Sequence, residues 1–236
     1  MLIRNGVLIL GAMALFGVIH SLTAGLAPRA RLKRVLDDRL VEGWYRLAYN
    51  VFSAITLLPV LAALVLLPDQ VVYRVEGPLA WLMRGVQLVG LAGLVGALAV
   101  TDVWRFLGLK QAAAYLQGDP LPLPELPLVV RGMYRVTRHP LYFFSLLVIW
   151  PMPEMTLNML LFNIGATAYL AAGSLVEEQR LLKRHGEGYR EYRRQTSWLV
   201  PFPARKAANV PRPVEMNHLS VQDKTEEEKY VSQKHT

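Results

Sequence analysis

Cysteine is absent from the 236 residues, which excludes disulfides, thiolate nucleophiles and zinc or iron–sulfur sites built on cysteine. Other signatures are missing too. No spacing of His, Asp and Glu matches a metal site, and no glycine-rich loop matches a phosphate cradle. No Ser/His/Asp arrangement rises above chance, and no internal repeat is evident. The chain carries a formal net charge of +8, but its cations sit between apolar blocks rather than along one face with stacking aromatics. Nucleic acid is therefore not the partner they point to. Basic loops beside a lipid bilayer account for them instead.

What the chain has in abundance is apolar sequence. The hydrophobic fraction is 53% and the mean hydropathy is +0.27, with the apolar residues gathered in long blocks. A spanning helix needs about 20 mainly apolar residues. Val7–Ala27, Trp44–Leu67 and Gly85–Val103 each meet that requirement. The third is rich in small residues, and Gly90, Gly93 and Gly96 permit close helix approach. After a polar, proline-rich stretch, Leu141–Trp150 opens a fourth segment. Pro151–Glu154 interrupts it, and Met155–Val176 follows. Leu141–Trp150 is only about 15 Å long at 1.5 Å per residue, so the last two segments read as a helical hairpin. The expectation is an all-α, polytopic integral membrane protein with about five segments.

Basic residues assign the sides. The stretches 28–43, 104–140 and the region after Val176 are basic, whereas 1–6, 68–84 and the Pro151 turn are not. Every second connection is thus basic, which predicts an outward N-terminus and a cytosolic C-terminus. Residues 1–6 are too short and too weakly charged to read as a cleaved signal peptide. The pattern fits a multi-pass protein of a bacterial inner membrane. Residues 1–203 read as one membrane-embedded domain. The polar stretch 204–236 has little to bury and is expected to be disordered.

Two cytosolic segments carry the polar chemistry. Gly132–Tyr142 runs straight into the fourth segment, with Pro140 suited to a first helical turn. Arg138 and His139 lie at that helix's amino end, which favours an anionic group. The second segment is Glu177-Glu178, at the end of the fifth. Adjacent carboxylates at a helix C-terminus are unfavourable unless relieved. Relief can come from Arg180 or Arg184, from Arg138 across the hairpin, from continuation of the helix, or from a bound ligand. The hairpin brings both segments to one face, as a cytosolic cup with donors on one rim and acceptors on the other.

Blander readings stand beside these. Arg138-His139 also suits a headgroup anchor, and Glu177-Glu178 a solvated pair bonded to nearby arginines. His20 and Ser21 lie inside the first block, as functional candidates or as bonds to another helix. Asp102 has Arg105 as its obvious partner, and Asn50, Asn158 and Asn163 suit interhelical bonds. Tyr189, Arg190, Tyr192, Arg193 and Arg194 form a basic aromatic stretch fit for a membrane surface.

Taken jointly, Arg138-His139-Pro140-Leu141-Tyr142, Glu177-Glu178-x-x-Leu181, Gly186-x-x-Tyr189-x-x-Tyr192 and Pro201 resemble the isoprenylcysteine carboxyl methyltransferase and phospholipid methyltransferase superfamily. Ile19–Leu22, Trp44–Asn50 and Asp102–Gln111 are similar to its methanethiol S-methyltransferase-like and NnrU-like branches. The resemblance covers residues 7–202. It implies a membrane enzyme using S-adenosylmethionine, with no metal and with a small thiol, a lipid or another apolar molecule as methyl acceptor. It further implies that Tyr134, His139, Tyr142 and Glu178 hold the cofactor, with Arg138 and Glu177 nearby. No residue stands out as the acceptor's base. The family usually has a glycine two places after the motif tyrosine, where this chain has Phe144; His185 replaces the usual aromatic before Gly186. Phe144 favours the rival reading, a non-catalytic NnrU-like accessory protein, while the two retained polar motifs disfavour it. A transporter fits less well, because no charged residue sits near the middle of a span.

Overall fold

A computed structural model describes residues 2–202; the polar stretch 204–236 lies outside the described residues. Helix α1 (Leu2–Thr23) and the short α2 (Leu26–Leu32) lead into α3 (Asp38–Leu66), strand β1 (Val71–Arg74) and α4 (Gly77–Ala99). Next come α5 (Val103–Leu107), α6 (Leu109–Gln117), a 3-10 turn (Gly132–Arg135), α7 (Pro140–Ile149), strand β2 (Glu154–Thr156) and α8 (Leu157–Gln195). Helices α1, α3, α4 and α8 are long and apolar enough to cross a membrane. The fourth apolar segment, α7, has ten residues and is shorter than a span. The protein is an all-α, polytopic membrane protein.

Strands β1 and β2 pair antiparallel, and Arg74 meets Glu154 at 2.7 Å. Sequence patterning read β1 as part of the 68–84 loop, Glu154 as the end of the Pro151 turn and Met155–Thr156 as the start of the last apolar segment; the pairing joins the two connections. Strand geometry was not legible there because each run is only three or four residues long.

Two compact units form among these elements. The first comprises 2–87, 101–124 and 149–169. Polar side chains tie its helices together, as the asparagine positions led one to expect. Asn158 Oδ1 accepts from Asn5 Nδ2 at 2.8 Å, and Asn163 Nδ2 donates to the Ile149 carbonyl at 2.7 Å. Asn50 Nδ2 donates to the carbonyls of Phe106 and Leu107, pinning α5 to α3. His20 bonds α3 through Tyr49 Oη at 2.7 Å and Ser53 Oγ at 3.1 Å. In an apolar slab such bonds replace the water that these groups lack. Asp102 caps α5, and its ion pair is with Lys110 at 2.6 Å rather than with Arg105. The Lys110 hydrogen bond holds the Asp102 carboxyl below its ordinary range. The Arg105 guanidinium turns instead to the carbonyls of Leu123 and Pro124.

The second unit comprises 88–100, 125–148 and 170–202. Here α4 presents a notch at Gly90 and Gly93. A Cβ on Gly93 would stand 2.2 Å from the Phe144 ring, and one on Gly90 would stand 2.9 Å from Val148. Positions 144 and 148 lie one turn apart on α7, so they enter the notch together. A Cβ on Gly96 would meet nothing within 4 Å beyond its own helix, so this glycine plays no such part. The Phe144 ring is thereby buried against α4. Gly93→Ala overpacks this contact and is expected to cost about 1–3 kcal/mol. Thermal unfolding in detergent measures that loss, and Phe144→Leu in the same chain should recover part of it.

Candidate functional site

The site lies in the second unit, where α7 starts. Thr137 Oγ1 accepts the His139 amide at 3.3 Å and donates to the carbonyls of Trp198 and Leu199. The Arg138 amide donates to the Ser197 carbonyl at 2.9 Å, so the backbone leading into α7 is clamped by the chain that follows α8. Pro140 then opens the helix at a position where no amide donor is needed.

This clamp aims Arg138 at α8. Its Nε donates to Glu178 Oε1 at 2.6 Å, and its Nη1 donates to the carbonyls of Thr196 and Arg193. Arg193 Nε approaches the other carboxylate oxygen at 3.4 Å. Glu178 is only 5% exposed. A buried carboxylate between two guanidiniums is satisfied, and losing Arg138 leaves it only the longer contact to the part-exposed Arg193.

Whereas Glu178 lies on the Nε2 side of the His139 ring, Glu177, one residue earlier, lies on the Nδ1 side, and its side chain is 48% exposed. Tyr142 Oη donates to Glu177 Oε2 at 2.8 Å, and His139 Nδ1 lies 3.6 Å from the same oxygen. The His139 and Tyr142 rings are parallel within 1°, with centroids 5.3 Å apart. His139 itself is buried. Its Nε2 stands 3.4 Å from Glu178 Oε1 yet makes no hydrogen bond. The site therefore combines a satisfied inner carboxylate, an accessible outer one and a buried imidazole nitrogen with spare capacity.

The relief of the carboxylate pair is now explicit. Helix α8 continues past it, so Glu178 is not at a helix end, and Arg138 reaches across from α7. The regular helix breaks only at Gly186, whose φ of 50° and ψ of −128° belong to glycine. Beyond the break, Tyr189 and Tyr192 are buried with Val130 and packed by Leu128, Leu181 and Leu182. They form a core, not the membrane-surface stretch that their flanking arginines implied. The break redirects the chain so that Tyr192 Oη donates to the Tyr134 carbonyl at 2.6 Å. Burial, with the Glu177 charge, pushes the Tyr134 phenol up to about 12, so it stays protonated near neutrality.

Five of the six sequence-derived residues (Arg138, His139, Tyr142, Glu177 and Glu178) thus join one network of bonds and close charges. Tyr134 borders it through the Tyr192 bond. Sequence reasoning missed Thr137, Arg193 and the 196–199 segment. Only the Tyr-x-x-Tyr spacing after Gly186 hinted that this end of the chain packs inward.

A helical membrane fold carrying this Arg–Glu cluster beside an Arg-His-Pro helix start defines a class, and the comparisons name it. The chain belongs to the NnrU protein family, whose sequence profile matches residues 7–198. It is similar to methanethiol S-methyltransferase 2 of Bradyrhizobium diazoefficiens, 31% identical over 206 residues, 86% of this chain and 77% of that one. Methanethiol S-methyltransferase 1 of the same organism is 30% identical over 191 residues, 80% of this chain and 65% of that one. The methanethiol S-methyltransferase of Mycobacterium tuberculosis is 35% identical over 117 residues, 50% and 47% of the two chains. These matches agree with the superfamily that the motifs resemble. No solved structure matches.

Glu178→Gln and Arg138→Met should each cost up to about 3–5 kcal/mol, because each removes the short partner of a buried charge and leaves it only weaker contacts. The Arg138→Met/Glu178→Gln double variant should lose less than the sum of the two. Unfolding of the wild type and the three variants in detergent gives the coupling directly.

Proposed function

We propose that the protein is an integral membrane methyltransferase that uses S-adenosylmethionine to methylate a small thiol. The observation that carries this is the split between the two carboxylates: Glu178 is consumed internally, while Glu177 is half-exposed and held by Tyr142. The relatives named as methanethiol S-methyltransferases support the thiol as acceptor class.

The donor set suits that cofactor. His139 Nε2, buried and without a hydrogen bond, and the amino end of α7 can meet a carboxylate. Glu177 can accept from hydroxyl or amino groups, and the parallel His139 and Tyr142 rings present flat apolar faces. Arg138, Glu178 and Arg193 then serve as positioning residues that hold His139 and the α7 start in place. Phe144 departs from the family pattern, yet its ring is seated on Gly93, which supports a cup that stays open beside Tyr142. The cofactor supplies a methyl group on a sulfonium, and the protein's part is to position the reactants and exclude water. Charge alternation supports a cytosolic cup and C-terminus in a bacterial inner membrane.

A second reading, a non-catalytic NnrU-like accessory protein, is favoured by Phe144. Calorimetric titration with S-adenosylhomocysteine separates the two. The methyltransferase reading expects binding by the wild type. Glu177→Gln should bind about tenfold to 100-fold more weakly, as losing one charge-assisted hydrogen bond implies, with thermal stability unchanged. A folded wild-type protein that takes up no S-adenosylhomocysteine leaves the accessory reading ahead.

A further inference from the structure

A second feature lies in the first unit and is independent of the methyl-transfer reading. The connection from α1 to α3 carries five cations, Arg29, Arg31, Lys33, Arg34 and Arg39, against Asp37, Asp38 and Glu42. The structure divides them by task. Arg29 and Lys33 turn inward to the buried Glu42 carboxylate, Lys33 at 2.5 Å. Arg39 donates to the carbonyls of Tyr115 and Asp119, bracing α6. Arg31 and Arg34 are exposed and, among the described residues, have no ion pair.

Those two free guanidiniums border an apolar stripe. Helical turns continue past α2, since the amides of Val35 and Leu36 donate to the Leu32 carbonyl. Leu32, Val35 and Leu36 therefore share a face at i, i+3 and i+4. All three are exposed, Val35 by 81%. At the same end of α3, bonded to it through Asn50, the α5–α6 segment exposes Trp104, Phe106 and Leu116. Apolar groups of this kind, ringed by arginine and aromatics, match the boundary between acyl chains and headgroups. The Glu42 pairs lock α2 to α3, so the stripe is presented by a braced element rather than a loose loop.

We propose that the segment 31–36 is a docking surface for anionic phospholipid headgroups of the surrounding leaflet. The stripe enters the boundary region while Arg31 and Arg34 meet lipid phosphates. Apolar contact alone serves any bilayer; the two unpaired guanidiniums select for negative charge. Because Arg29 is held by Glu42, and Lys33 by Glu42 and Asp38, the selection rests on Arg31 and Arg34.

Native mass spectrometry of the full-length protein in neutral detergent tests this, with phosphatidylglycerol or phosphatidylcholine added. The wild type should retain phosphatidylglycerol in preference. Arg31→Gln/Arg34→Gln should weaken that retention about 30-fold, the equivalent of ~1 kcal/mol per cation near an anionic surface. Arg4→Gln, at the opposite end of α1, should change nothing. Matching thermal unfolding of the double variant and wild type in phosphatidylcholine shows that folding is intact. Equal retention of the two lipids overturns the proposal, as does undiminished phosphatidylglycerol binding by the double variant. Displacement of phosphatidylglycerol by inorganic phosphate overturns it too, because the surface is then a general anion site.

Discussion

The second unit depends on a single carboxylate. Glu178 is buried on a helix that is otherwise apolar toward its start, and an unpaired charge there is among the costliest defects a chain can carry. Its needs explain what surrounds it. Arg138 must stand at the threshold of α7, which Thr137 and the Ser197 carbonyl arrange. Arg193 must return from beyond α8's regular helix, which the backbone of Gly186 permits. The buried tyrosines then fill the angle that the bend creates. One charge thus dictates a helix start, a helix break and the path of the chain's end. Glu177 escapes these demands, and so remains free for other chemistry.

Elsewhere the bilayer sets the terms. Backbone groups in hydrocarbon are satisfied within helices, and side chains able to bond one another stitch the helices together. Asn5, Asn158 and Asn163 cluster about the β1–β2 end, while His20, Tyr49, Ser53 and Asn50 work at other levels of α3. The basic connections divide similarly between structural and outward-facing cations, and Glu42 decides which arginines belong to which group.

Much of this was legible in the sequence because membrane folds write their strongest signals in composition. Apolar block lengths located the four long helices and the short fifth, and the glycines at 90 and 93 announced a close approach. The Arg-His-Pro and Glu-Glu motifs were found because each is odd in its place: cations before a helix start, paired anions beside an apolar span. What stayed hidden was partner choice. Both carboxylates look alike on paper, and only the turn of α8 makes one buried and the other accessible. Asp102 sits three residues from Arg105 and eight from Lys110; proximity in sequence found Arg105, which bonds it through the backbone amide, but not Lys110, which supplies the ion pair. Tyr189 and Tyr192 looked interfacial because their neighbours are arginines; the φ of a single glycine turns them into core. Three- and four-residue strands lie below what alternation can reveal.

The Gly186 bend also bears on the order in which the protein is made. The groups that complete the buried charge, Arg193 and the carbonyl of Thr196, are encoded after the last apolar stretch, at the far end of α8 and just beyond it. Chains emerge from the ribosome amino end first. The spans can therefore enter the bilayer before the site closes, and until the last turn folds back Glu178 has only Arg138. Assembly of the polar centre becomes a late event, separated in time from insertion, and a truncation between Gly186 and Arg193 reaches the same place as a substitution at its heart.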